Sequence, residues 1–191
     1  MKIGLYFGSF NPIHTGHLII ANHVLNSGLL DKLWFVVSPQ NPLKKSNSLL
    51  NEYDRLHLVR IAAEEDNRIF VTDVEFQLEK PSYTSQTLIY LCEKYPYHHF
   101  YIIIGSDSYQ NLPQWKNGSF MIKHYDFIIY PRPGFSINNE LPSNMHFIAA
   151  APLLDISSTQ IRNLIKGGKS IRYMVPDKVF EEIGANRFYK K

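Results

Sequence analysis

Ten consecutive residues near the amino terminus concentrate groups suited to phosphate: Gly8-Ser9-Phe10-Asn11-Pro12-Ile13-His14-Thr15-Gly16-His17. Glycine lets backbone approach a ligand closely, and the N–H groups that open a helix favour anions. His14 and His17, three apart, can both face one phosphate. Neither the Rossmann glycine fingerprint nor the Walker A pattern is present, so phosphate would be held by another arrangement. The same spacing also suits a helix cap followed by a surface histidine, and these residues alone leave both readings open. Toward the other end of the chain, Ile156-Ser157-Ser158-Thr159-Gln160-Ile161-Arg162 opens a second helix. Ser157 and Gln160 have the capping-box spacing. Capping does not account for Ser158, Thr159 and Arg162. Their hydroxyls and guanidinium at a helix start would make a polyphosphate cradle.

The elements that must position these residues follow from the hydrophobic pattern. Short apolar runs predict strands over residues 3–7, 33–37, 69–76, 100–104, 127–130 and 146–149, with 69–76 alternating like an edge strand. Helical spacing covers residues 15–27, 52–65, 84–94, 158–165 and 176–183. Alternation of strand and helix at this spacing predicts an α/β fold, a Rossmann-like doubly wound parallel sheet buried on both faces. Ligands bind such sheets outside the carboxyl ends of the strands. The polar segments 8–17, 38–45 and 105–107, and Arg132, all follow predicted strands, so they should gather along one edge.

The two phosphate-suited segments together resemble the GxFxPxHxGH and ISSTxIR signatures of the nucleotidyltransferase superfamily. Between them lie Pro81-Ser82-Tyr83-Thr84-Ser85-Gln86-Thr87-Leu88, Ile103-Ile104-Gly105-Ser106-Asp107, Leu112-Pro113-Gln114-Trp115 and Pro131-Arg132-Pro133-Gly134. With these the chain is similar, over essentially its whole length, to the bacterial nicotinate-nucleotide adenylyltransferases. That resemblance implies the nucleotidyltransferase fold and transfer of AMP from ATP to nicotinic acid mononucleotide, giving deamido-NAD and pyrophosphate. It implies catalytic roles for His14, His17, Lys44 and Arg162. The ATP site would comprise Gly8, Ser9, Phe10, His17, Gly105, Ser106, Asp107, Ser158, Thr159 and Arg162. The mononucleotide would meet Asn41, Tyr83, Thr84, Trp115 and Arg132. Mg²⁺ is implied as cofactor, held mainly by ATP phosphates, with Asp107 the candidate protein ligand. Relatives acting on nicotinamide mononucleotide or other phosphate acceptors, and a non-catalytic nucleotide sensor, are the alternatives.

Residue chemistry agrees with several of these roles. Trp115 offers a flat face to an electron-poor pyridine ring, though it also suits a core anchor. Tyr83 and Thr84 stand at a predicted helix start, where N–H groups can bind a ring carboxylate or merely begin the helix. Asp107 ends the most apolar strand, and a buried carboxylate there needs a partner. Arg132 between two prolines is a rigid phosphate contact. One departure stands out. Many bacterial relatives carry a histidine in an NxxPPHK-like run after the second strand. Here the loop reads Ser38-Pro39-Gln40-Asn41-Pro42-Leu43-Lys44-Lys45, and Lys44 or Lys45 would supply a point charge instead.

Composition sets the outer bounds. The 191 residues, 45% hydrophobic and 19% charged, suit a single domain over 1–191 whose C-terminal helices, from about residue 157, complete the ATP site. A lone cysteine excludes a disulfide framework and points to a reducing, cytoplasmic setting. No apolar run approaches the roughly 20 residues that span a bilayer, and no signal peptide pattern opens the chain. A net charge of +3 suits small phosphate ligands and is a weak footprint for nucleic acid. The expected partners are ATP and nicotinic acid mononucleotide, without nucleic acid or membrane. Self-association into a homo-oligomer is left open.

Overall fold

The computed structural model describes residues 1–40, 49–137 and 140–190. Among these, six parallel strands form one sheet: β1 (Lys2–Gly8), β2 (Lys32–Val37), β3 (Ile69–Thr72), β4 (His99–Gly105), β5 (Asp126–Tyr130) and β6 (Met145–Phe147). Their order across the sheet is β3-β2-β1-β4-β5-β6. The chain runs outward from β1 to β3, returns to the far side of β1 as β4, and then runs outward the other way. The reversal therefore lies between β1 and β4, where doubly wound sheets leave a crevice beyond the strand carboxyl ends.

Side-chain alternation buries both faces. Tyr6, Tyr101, Ile103, Ile128 and Tyr130 point to one core. Leu5, Phe100, Ile102, Ile104, Phe127 and Ile129 point to the other. The first core is closed by helices α1 (Thr15–Asn26), α2 (Glu52–Ala63), α6 (Ser158–Lys166) and α7 (Asp177–Ala185), through residues such as Val24, Leu58, Ile161 and Val179. The second is closed by α3 (Thr84–Lys94) and α5 (Gly118–His124), through Leu88, Leu91 and Met121. Each fully buried Leu, Ile or Val here contributes about 1.5–3 kcal/mol of transfer free energy. No helix among the described residues is long and apolar enough to cross a membrane.

The expected edge strand over 69–76 is shorter than its pattern suggested. β3 ends at Thr72, and Val74–Gln77 is a turn of 3₁₀ helix. The Thr72 hydroxyl accepts a hydrogen bond from the Val74 N–H at 3.2 Å, a local bond that competes with strand pairing. Two short helices were not apparent from periodicity: α4 (Ser106–Asn111), which follows β4 without a loop, and α5. Both are too brief to show a repeating apolar stripe. The expected contributions of Asn41, Lys44 and Lys45 fall outside the described residues.

Candidate active site

The segment after β1 is shaped by close packing. A Cβ on Gly8 would stand 2.8 Å from the Phe10 ring, so only glycine lets that ring fold back over the strand end. Phe10 itself has φ +44°, a left-handed conformation that non-glycine residues hold only when the surroundings impose it. Its ring is fixed edge-on against Phe35 and His17, at centroid distances of 5.2 and 5.0 Å.

The two histidines have distinct surroundings. The His14 backbone N–H donates to His17 Nδ1 at 3.2 Å, and the two rings stack at 3.7 Å. Because Nδ1 accepts, the His17 ring when neutral carries its proton on Nε2. His14 is buried, and burial first, then the neighbouring Arg132 cation, lowers its pKa to about 4. Its Nδ1 has no hydrogen-bond partner among the described residues. The capping role considered for one histidine is thus real, and the same histidine faces the cavity. The opening of α1 is less exposed to a ligand than its sequence suggested. The Thr15 N–H donates to Met174 O at 2.9 Å, and the His17 N–H to His14 O at 2.9 Å.

The second segment is docked directly onto the first. Ser157 caps α6 by accepting the Gln160 N–H at 3.2 Å. The Ser158 hydroxyl donates to Pro12 O at 2.8 Å. Arg162 sends Nη1 to Asn11 O at 2.7 Å and Nη2 to Thr159 Oγ1 at 3.2 Å. A Cβ on Gly16 would lie 2.5 Å from Ile156, so a glycine is what allows this approach. The helix-start groups read as a phosphate cradle are therefore partly spent on the first segment's carbonyls.

Between the two segments lies a cavity of about 480 Å³, lined by Gly8, Ser9, Phe10, His14, His17, Ser158, Thr159 and Arg162 together with Tyr6, Tyr130 and Arg132. Its floor is a tyrosine pair, with the Tyr6 hydroxyl donating to the Tyr130 hydroxyl at 3.0 Å. Burial raises the pKa of both phenols, so they stay protonated hydrogen-bonding groups. Arg132, assigned above to the mononucleotide, reaches this same cavity. Its N–H donates to Ser106 Oγ at 2.9 Å, and its Nε stands 3.9 Å from Asp107 Oδ1. Asp107 is not the buried carboxylate expected at the end of an apolar strand. It begins α4, where its side chain is 37% exposed beside Arg132. Gly105 is tightly enclosed: a Cβ there would run into Asp107 and stand 2.8 Å from Arg132 Cγ.

Tyr83, Thr84 and Trp115 are not among the residues lining this cavity. Tyr83 is the N-cap of α3, and the Lys116 ammonium lies 4.0 Å over its ring. Asn117 Nδ2 donates to Ser85 Oγ at 3.5 Å. These contacts bring Trp115's immediate neighbours to the start of α3. Trp115 itself is half-buried against the second core, so the core-anchor reading holds at least in part. Sequence reading missed Tyr6 and Tyr130, which look like ordinary strand core, as well as Glu75 and Arg55. Glu75 is 1% exposed, with its Oε1 accepting from Thr87 Oγ1 at 2.9 Å. Burial pushes its carboxyl up, opposed by the hydroxyls of Ser82, Ser38 and Thr87.

The chain is similar to known proteins in sequence and in fold. A sequence model described as cytidylyltransferase-like matches residues 5–164. A Cytophaga hutchinsonii protein named as a probable nicotinate-nucleotide adenylyltransferase is 50% identical over 99% of this chain and 98% of its own length. A Flavobacterium johnsoniae protein of the same name is 50% identical over 100% of both chains. The fold matches the Plasmodium falciparum nicotinic acid mononucleotide adenylyltransferase solved with NaAD, with a TM-score of 0.86 at 23% identity, covering 98% of this chain and 97% of that one.

Proposed function

The chain belongs to the nicotinate-nucleotide adenylyltransferases, within the cytidylyltransferase-like family, and from that membership we propose that it joins the AMP portion of ATP to nicotinic acid mononucleotide. The products are deamido-NAD and pyrophosphate, a step of NAD synthesis. The observation that carries the reading is the cavity itself. It brings His14, His17, Arg132 and Arg162 around one space beside the sheet's reversal point.

The reaction is an in-line displacement. A 5′-phosphate oxygen of the mononucleotide forms a bond to the α-phosphorus of ATP as the bond from that phosphorus to the bridging oxygen of pyrophosphate breaks. The attacking phosphate is already ionised near neutral pH, so no general base and no covalent enzyme intermediate are required. Catalysis then rests on positioning and on offsetting charge. His17 donates from Nε2 to a phosphate oxygen. Arg132 and the remaining N–H groups of Arg162 balance the leaving pyrophosphate, with Lys44, which follows β2 in the sequence, in the same role. The Tyr6–Tyr130 pair gives the cavity a rigid neutral floor.

Mg²⁺ bound to the phosphates would draw charge from the triphosphate. No group of three or more His, Cys, Asp or Glu side chains that could hold a metal occurs among the described residues. Asp107, whose carboxylate is 37% exposed beside Arg132, would be the protein contact of an ion carried chiefly by phosphate and water. Around the acceptor, the N–H groups of Thr84 and Ser85 at the start of α3 suit an anionic ring carboxylate, and Lys116 adds a cation nearby.

The test is pyrophosphate release from ATP with a panel of acceptors: nicotinic acid mononucleotide, nicotinamide mononucleotide, phosphopantetheine and an alcohol phosphate with CTP. The acid mononucleotide should exceed the amide by at least about tenfold in kcat/KM, the equivalent of about 1.4 kcal/mol. Equal use of acid and amide would refute the acid preference. Release with none of the panel would refute the enzyme reading.

A further inference from the structure

Arg55 is not among the residues lining the cavity, yet it is 1% exposed. It sits in the first turn of α2, where positive charge opposes the helix dipole. No carboxylate pairs with it among the described residues, and Glu52 nearby is engaged by Lys80 at 2.8 Å. Its guanidinium is satisfied by backbone carbonyls instead. Nη1 donates to Ser9 O at 2.6 Å and Ser38 O at 2.8 Å, Nη2 to Pro39 O at 2.9 Å, and Nε to Leu50 O at 2.9 Å. Only a planar fork of donors can serve carbonyls from so many directions.

The bond to Ser9 has a geometric consequence. In a trans peptide the C=O and N–H point in opposite directions. Holding the Ser9 carbonyl on Arg55, behind the loop, turns the Phe10 N–H toward the other side, where Ser9 and Phe10 line the cavity. The preceding carbonyl is held on the same flank, because Gly8 O accepts the Ser38 N–H at 2.9 Å. Consecutive N–H groups aimed to one side, with one residue left-handed, form a concave anion site. Phe10, at φ +44°, supplies the left-handed residue. We propose that Arg55 is a positioning residue for adenylyl transfer: by fixing the Ser9 carbonyl it presents the Phe10 N–H to the triphosphate of bound ATP. This inference rests on the assignment of ATP to the cavity.

The experiment uses the full chain, ¹⁵N-labelled, and follows the Phe10 amide resonance as ATP is added, alongside steady-state kinetics. Arg55→Lys keeps the charge and loses the fork. In the wild-type protein the Phe10 amide should shift strongly downfield with ATP. In Arg55→Lys that shift should shrink. KM for ATP should rise about tenfold, the scale of one charge-assisted hydrogen bond, while KM for the mononucleotide changes little. Measurements are made well below the melting temperature of both proteins. If Arg55→Lys does not fold, Arg55→Gln takes its place, and the wild-type titration remains decisive by itself. A Phe10 amide that ignores ATP while neighbouring amides respond would overturn the proposal. So would an equal response in the variant, or a parallel rise of both KM values with a lowered melting temperature. If no cavity amide responds to ATP and no pyrophosphate is released, the ATP assignment fails first and takes this inference with it.

Discussion

His14 should change its protonation state when ATP binds, and the size of that change follows from its surroundings. In the free protein, burial and then Arg132 hold its pKa at about 4, so the ring is neutral through the physiological range. A unit negative charge about 5 Å away is worth about 3 kcal/mol at an effective dielectric of about 20. That is a little over two pKa units, so a single phosphate charge should return His14 to about 6 or higher. The assay is an NMR titration of the His14 ring between pH 3 and 8, with and without a non-hydrolysable ATP analogue. His14→Asn identifies the resonance. Titration near the ordinary histidine value in the free protein would refute the burial argument. An unchanged pKa with the analogue bound would refute the contact between His14 and phosphate.

The same depressed value links His14 to stability. Its folded pKa of about 4 lies below the ordinary value of 6.5, so the unfolded chain binds the extra proton between those limits. Stability should be fully present above pH 6.5 and fall by about 3 kcal/mol as pH drops to 4; denaturant melts of wild type and His14→Asn across that window should differ by this amount. His17→Ala should lower kcat by about 10²–10³ through loss of a phosphate donor. Its melting temperature should fall only by the equivalent of one capping bond, about 1 kcal/mol, and a variant with normal turnover but a large melting shift would make His17 a cap alone. Gly105→Ala should displace Asp107 and Arg132, whose atoms a Cβ would meet. A raised KM for substrate with the sheet intact by circular dichroism is the expected result.

The strands and long helices were legible because both faces of the sheet are buried and the helices carry apolar stripes. α3, for instance, starts and ends where its pattern does, at Thr84 and Lys94. The gathering of segments 8–17 and 105–107 with Arg132 at one edge followed from strand order, which parallel connectivity nearly dictates. What the pattern could not show were features set by single contacts. The 3₁₀ turn after Thr72 depends on one hydroxyl. Tyr6 and Tyr130 look apolar until their hydroxyls meet across the intervening strand β4. Asp107 seemed buried because β4 is so apolar, but the chain turns into α4 at Ser106 and carries it outward. Arg55 did leave one signal: an arginine opening a helix, against the dipole, among residues with apolar spacing.

The carbonyls of residues 8–14 explain why the second segment has so much polar chemistry near the first. Gly8 ends β1 and residues 9–14 belong to neither β1 nor α1, so these backbone acceptors need partners from elsewhere. Ser38 N–H serves Gly8 O, and Arg55 serves Ser9 O. Arg162 serves Asn11 O, and Ser158 serves Pro12 O. Carbonyls left to themselves beside a triphosphate would repel it. Donors drawn from three distant parts of the chain hold these oxygens, and with them the orientation of the peptides between. Under the proposed function, Ser158 and Arg162 thus serve the phosphate site even where they do not touch the anion. A helix-start motif so far along the chain from the first can accordingly be as restricted in residue type as a direct ligand, because what it controls is the direction in which another segment's N–H groups point.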